Sequence, residues 1–187
     1  FLITFENTQS TEIIYFGMYI LGVFFNTFRI FIPLFNLGKT YNFIFLLILK
    51  ACFAGQLMVI LSFLFASIFY NEDQIKLSEQ NFPIILAISV FFSNIIPINI
   101  KSLNPYYIPN FGFSKLFIVI TIICLILIII GFTFYRKTNN EKRLDFLTIG
   151  VLGCLCGFFT TIYTSNYFFL ILGTIFLILG TKIYLST

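Results

Sequence analysis

The sequence predicts an all-α integral membrane protein with about six transmembrane helices. The 187 residues are 59% hydrophobic and only 10% charged, whereas a typical soluble domain is about 25% charged. The mean hydropathy is +1.02. The apolar residues are also grouped into runs, several of which approach the roughly 20 residues that a helix needs to cross a bilayer. Eleven basic and seven acidic side chains are too few to cover a soluble globule of this size.

The apolar runs follow one another with only short polar loops between them, so we expect one transmembrane domain over residues 1–187. The predicted spans lie near residues 13–36, 42–70, 82–99, 114–135, 145–164 and 166–185. The second run is longer than one span requires, which predicts a tilted or projecting helix. The third run is the shortest, and the number of spans falls to five if it does not cross.

Prolines and turn residues predict where several helices begin and end. Pro83 suits the start of the third helix, and Pro97 suits its end or a kink. The loop after Lys101 contains Pro105, Pro109 and Gly112 and predicts an ordered, turn-rich surface. Residues 164–166, Thr-Ser-Asn, predict a tight turn between the last two helices.

The distribution of basic residues predicts the orientation of the chain. Six spans place both termini on one side, together with the polar loop 71–81 and the strongly basic loop 136–144. The opposite side carries Lys39, Lys101 and Lys115. By the positive-inside rule, both termini lie in the matrix or the cytoplasm.

The composition excludes several classes of site. The chain has no histidine, which removes imidazole metal ligands and histidine-dependent catalysis. All four cysteines lie in apolar runs, and we expect them to be inert packing residues; they are Cys52, Cys124, Cys154 and Cys156. We find no catalytic residue, no metal motif and no basic face for nucleic acid, and we expect no cofactor to be bound by this chain.

Two cations lie inside the predicted spans, where charged groups are costly and often functional. Arg29 and Lys50 are roughly 10 and 13 Å from the same hairpin end, at 1.5 Å per residue. No acidic residue lies well inside any run. Either both side chains extend toward the interface, or a lipid phosphate or a carboxylate of another subunit meets them. A desolvated Lys50 is also a candidate for a proton or ion path, with Gln56 nearby as a group that holds water.

Glycines at helical spacing predict a packing face in the last two helices. Gly150, Gly153 and Gly157 share one face of the fifth helix, and Gly173 and Gly180 share one face of the sixth. Small residues in such stripes allow two helix backbones to approach closely in a membrane.

Amino-acid usage indicates the type of genome that encodes the chain. Phenylalanine occurs 28 times, whereas alanine is confined to residues 51, 54, 66 and 87. Phe, Ile, Asn and Tyr have A/T-rich codons, and alanine does not. This bias indicates an organelle gene, and we expect a mitochondrial one.

One stretch resembles a known family. Residues 53–63, Phe-Ala-Gly-Gln-Leu-Met-Val-Ile-Leu-Ser-Phe, resemble the third-helix signature of the subunit 6 family of mitochondrial NADH:ubiquinone oxidoreductase, respiratory complex I, with Phe53 and Gly55 at matching positions. Residues 71–74 look like the exit of that helix. Residues 125–135 and the basic residues that follow look like the family's last helix and tail. The resemblance covers roughly residues 42 to 145.

The resemblance implies a multi-pass subunit of the mitochondrial inner membrane that contacts other membrane subunits of a large hetero-oligomeric complex, and lipids. Such a subunit carries no redox centre, and it takes part in coupling quinone reduction to proton translocation. By the same resemblance, Gly55 is a position where the helix switches its local conformation. Two alternatives stay open. Residues 54–56 also resemble a segment of the ATP synthase a subunit, and the size suits a six-helix small-molecule transporter component.

Overall fold

A computed structural model describes residues 11–35, 37, 42–69, 75–103, 109–111, 114–139, 143–163 and 167–186. The chain is an all-α, multi-pass membrane protein, as the sequence predicts. Its elements are α1 (Thr11–Thr27), a 3-10 turn (Phe28–Ile30), α2 (Phe31–Leu34), α3 (Asn42–Ile68), α4 (Ile75–Ile95), β1 (Ile98–Leu103), β2 (Pro109–Phe111), α5 (Ser114–Asn139), α6 (Arg143–Tyr163) and α7 (Tyr167–Ser186).

Among the residues that the structure describes, four helical segments are long and apolar enough to cross a bilayer, and two further apolar segments are shorter. The long segments are Ile14–Leu34, Phe43–Ile68, Lys115–Phe134 and Asp145–Ile162; the shorter ones are Gln80–Ile95 and Ile171–Tyr184. The third predicted run is thus one of the two short helices.

The first span changes its helical form near its end. Pro33 lacks the amide that would donate to the carbonyl of Arg29 four residues earlier. The backbone tightens at this point into the 3-10 turn Phe28–Ile30, which precedes α2. A single apolar run in the sequence therefore becomes a helix with a 3-10 step.

The predicted start of α4 is wrong. We expected Pro83 to begin the helix, but α4 begins at Ile75 and Pro83 lies inside it. A tertiary hydrogen bond helps to hold this polar first part: the buried Asn81 amide donates to the Tyr15 hydroxyl of α1 at 2.9 Å. The predicted end is confirmed, since α4 ends at Ile95, two residues before Pro97. Of the predicted loop 71–81, residues 71–74 lie outside the described residues.

A two-stranded antiparallel hairpin follows α4, where the sequence predicted only a turn-rich surface. β1 pairs with β2, with Ile98 opposite Phe111 and Asn99 opposite Asn110, and the register shifts before Leu103. Ile98 packs on a buried cluster that contains Ile32 and Phe45, so the hairpin is attached to the helices. Pro105 and Gly112 lie outside the described residues.

The described residues form two compact units, 1–124 and 125–187. In the first unit, α1, α3 and α4 contact one another, and aromatic rings fill the space between them. Tyr19 lies 4.9 Å from Phe63, centroid to centroid. In the second unit, α6 packs along α7. The four cysteines are free thiols, of which Cys52 and Cys154 are buried, Cys124 is partly buried and Cys156 is exposed.

Candidate functional site

The contact between α1 and α3 is a crossing of two glycines. A methyl group on Gly55 would lie 2.5 Å from the backbone oxygen of Gly22, and one on Gly22 would lie 2.8 Å from the backbone oxygen of Gly55. Neither distance leaves room for a side chain, so the two backbones touch. α3 is α-helical at Gly55. The conformational switch implied for Gly55 by the family resemblance stays a prediction.

Phe53 lies two residues before this crossing and is fully buried. Its ring meets Phe117 of α5 at 5.1 Å in an edge-on arrangement, a geometry that aromatic pairs favour. The contact fixes one face of α3 next to Gly55. The family resemblance made Phe53 a candidate functional residue, and in the structure its ring makes a packing contact with Phe117.

Gln56 follows Gly55 and is only 3% exposed. Its Oε1 atom is buried and accepts no hydrogen bond from the residues that the structure describes. An unsatisfied buried carbonyl costs about 1–3 kcal/mol, and native proteins usually satisfy such a group with protein or with ordered water. Gln56 is therefore a position where water or a partner group is expected.

Lys50 is held by the end of α4. Its Nζ donates to the backbone oxygen of Asn94 at 3.4 Å and to the side-chain Oδ1 of Asn94 at 3.3 Å. Asn94 is the residue before the last of α4, where backbone carbonyls lack helical partners and the helix dipole favours a cation. Lys50 thus caps α4 at its C-terminal end. The two residues are 44 positions apart in the chain, so no local sequence pattern pairs them.

The amide of Asn94 is oriented for this contact. Its Nδ2 donates to the Val90 carbonyl at 2.9 Å on its own helix, which turns Oδ1 toward the ammonium group. Ser93 donates to the same carbonyl at 2.8 Å. Ser93 and Asn94 therefore use their side-chain donors on their own helix, and Asn94 offers only acceptors to Lys50.

Arg29 lies on a different side of α3 from Lys50. It belongs to the 3-10 turn, is partly buried, and is close enough to the Cys52 thiol to interact with it electrostatically. Cys52 donates to the Asn26 carbonyl at 3.8 Å. Positions 50 and 52 are about 200° apart around a helix of 3.6 residues per turn. The two cations that the sequence placed at one depth thus serve two separate sites.

A groove opens beside Lys50. It has a volume of about 410 Å³ and is lined by side chains of α1, α3 and α4. Its walls are mostly apolar, and Lys50, Ser93 and Asn94 are its polar lining residues. Ala51 and Ala54 lie on the α3 wall, and their short side chains leave the space that forms the groove.

The glycines of the second unit form a ladder between α6 and α7. A methyl group on Gly157 would lie 2.5 Å from the Leu177 amide nitrogen, and one on Gly180 would lie 2.5 Å from the Cys154 amide nitrogen. The hypothetical methyl group of Gly150 meets the backbone of Tyr184, that of Gly153 meets Gly180, and that of Gly173 meets Thr160. All five predicted glycines therefore lie at the helix contact.

The comparisons with known proteins give no relative. No family model, no curated protein and no solved structure matches the chain. Within the described part of the chain, no group of three His, Cys, Asp or Glu side chains comes together as a metal site would require. The site is thus defined by its own geometry: a glycine crossing, a buried amide oxygen, a capping lysine and an apolar groove.

Proposed function

We propose that the chain is a membrane-arm subunit of the respiratory NADH:ubiquinone oxidoreductase of the mitochondrial inner membrane, similar to the subunit 6 family. In this role it holds no redox centre. It packs against other membrane subunits and takes part in coupling quinone reduction to proton movement. The multi-pass helical architecture is compatible with this role, and the resemblance of residues 53–63 supports it.

One observation carries the proposal: the buried Gln56 carbonyl accepts no hydrogen bond from the described residues, and it lies beside the close crossing of Gly22 and Gly55. At this crossing the two backbones meet without side chains between them. A buried acceptor beside it can hold a water molecule. Together these features suit a position at which hydration changes during turnover, and Lys50 lies six residues earlier on the same helix.

The large apolar surface supports an assembly with other subunits and lipid. α5 leaves most of its side chains exposed: in the segment Lys115–Phe134 only 22% are buried. Ile122, Ile126 and Ile130 are each about half exposed. In a bilayer this surface meets either lipid or neighbouring helices, as a subunit of a larger complex requires.

Extraction of the membranes in mild detergent, separation on a native gel and mass spectrometry of the band that contains this chain test the proposal. We expect the chain to migrate with NADH dehydrogenase activity. Migration with ATPase activity would instead support the ATP synthase a-subunit alternative. A small free species would support the transporter alternative, for which the groove beside Lys50 would be the binding site.

A pair of variants distinguishes a role of Lys50 in proton movement from a role in assembly of the complex. Lys50→Met and Lys115→Met each remove one cation, but Lys115 is exposed at the start of α5 and serves as the control. We expect Lys50→Met to lower proton movement per NADH oxidised while the complex still assembles. If Lys50→Met leaves both assembly and proton movement unchanged, Lys50 has no part in coupling.

A further inference from the structure

The groove beside Lys50 has an amphipathic character. Along α3, the groove is lined by Ala54 and Met58 on the C-terminal side of Lys50. On the N-terminal side it is lined by Leu46 and Leu47. From Lys50 to Met58 the wall extends about 12 Å along the helix. A single cationic group is thus set into a long apolar channel, which is the pattern that a molecule with an anionic head and a hydrocarbon chain complements.

No acidic side chain among those that the structure describes in this unit neutralises the charge of Lys50. Its ammonium has three donors, and among the described residues it donates only to the two oxygens of Asn94. Both acceptors are neutral. None of the side chains that the structure describes in residues 1–124 is acidic. The end of a helix dipole offsets roughly half of one charge, so the described residues leave a net positive charge at the groove.

The rim of the groove is exposed and apolar. Phe43 is 75% exposed, Leu47 56% and Val90 44%. These residues lie in membrane helices, where the surrounding medium is hydrocarbon. The groove therefore opens to the lipid phase, and lipid is the molecule that meets it at the highest concentration.

From the groove's lining and its charge we infer that it binds one anionic phospholipid, with the phosphodiester on Lys50 and one acyl chain along Ala54 and Met58. The phosphate oxygen accepts a charge-assisted hydrogen bond from the third N–H of the Lys50 ammonium. The acyl chain fills the space that Ala51 and Ala54 leave open. This inference is independent of the proposed function, because it uses the shape and charge of the groove and no property of a respiratory complex.

Native mass spectrometry of the intact assembly tests the inference. The assembly is exchanged into nanodiscs that contain equal amounts of phosphatidylglycerol and phosphatidylcholine, and the retained lipids are counted after release. We expect the wild type to retain phosphatidylglycerol over phosphatidylcholine by about tenfold, equivalent to about 1.4 kcal/mol. Lys50→Gln removes this preference, and Lys50→Arg preserves it.

Two further variants test separately the contributions of the lipid head group and of its acyl chain. Ala51→Leu fills the groove but keeps the cation, so we expect it to lose both lipids. Lys115→Gln removes an exposed cation of the same unit and leaves the preference unchanged. If Lys50→Gln does not accumulate, the wild type, Lys50→Arg and Ala51→Leu still decide the question.

Three results would overturn the inference. The first is that the wild type retains both lipids equally. The second is that Lys115→Gln lowers the preference as much as Lys50→Gln does. The third is zero-length carbodiimide cross-linking of Lys50 to a carboxylate of another subunit in an assembly that retains no anionic lipid, which identifies a protein as the occupant.

Discussion

In the first unit, α1 and α3 meet at the glycine pair Gly22 and Gly55, whereas in the second unit α6 and α7 meet along a ladder of five glycines. The two contacts differ in their surroundings. The α1–α3 contact is flanked by the buried amide of Gln56 and by the groove that contains Lys50. The α6–α7 contact is flanked by hydroxyl groups that donate to their own helices, as Thr160 does at 2.8 Å. The ladder has the properties of a scaffold. The single crossing has the properties of a site, because the buried Gln56 oxygen beside it accepts no hydrogen bond from the described residues.

The largest expected effect comes from breaking the ladder. Gly157→Ala combined with Gly180→Ala places two methyl groups against backbone atoms, which cannot move without separating the helices. We expect a loss of unfolding free energy at or above the upper end of the roughly 1–3 kcal/mol typical of overpacking. Detergent-induced unfolding in mixed micelles, followed by far-UV circular dichroism, measures it. Gly17→Ala is the control, because nothing lies within 4 Å of that position; an equal loss there would refute the steric argument.

Gly55→Ala is expected to cost less, about 1–3 kcal/mol, because a single crossing is affected. The new methyl group meets the Gly22 oxygen at 2.5 Å and the Phe25 Cβ at 2.9 Å. The same unfolding measurement applies. In a double-mutant cycle, Gly55→Ala and Gly22→Ala should be non-additive, since both separate the same helices. Additive losses would show that the two glycines act independently.

Gln56→Met is expected to stabilise the protein by about 1 kcal/mol, because it removes an unsatisfied buried carbonyl while keeping a similar shape. If Gln56 holds water for coupling, the same change lowers proton movement per NADH oxidised. Without the Gln56 amide, the α1–α3 contact loses the buried polar group that distinguishes it from the α6–α7 contact. Ser62→Ala is the matched control, since the buried Ser62 hydroxyl already donates to Val59 at 2.9 Å. A destabilised Gln56→Met would indicate that the amide has a partner.

The smallest effect is expected for Asn94→Leu. It removes one of the two acceptors of Lys50, but the residue is exposed and the bond is long at 3.3 Å, so we expect a loss below about 1 kcal/mol. Unfolding of Thr174→Val, which removes an exposed hydroxyl bonded to its own helix, provides the comparison. A loss of several kcal/mol would mean that Lys50 is essential for the end of α4.

The sequence predicted the helices and the ladder better than it predicted the site. Long apolar runs and glycines at i, i+3 and i+7 are local signals, and they located the spans and the α6–α7 face. The pairs Lys50–Asn94 and Gly22–Gly55 join residues far apart in the chain, so no local pattern encodes them. Pro83 misled the prediction of α4 because the tertiary bond from Asn81 to Tyr15 outweighs a local preference. The hairpin after Pro97 was missed because β2 has only three residues and its pairing with β1 is irregular.

The close contact of α6 and α7 has a consequence for how the chain enters its membrane. α6 has 21 residues and α7 has 20, so each helix has about the length of one bilayer span. The glycines let the two backbones touch, and only three residues separate the two helices in the chain. We therefore expect α6 and α7 to enter the membrane together as one helical hairpin.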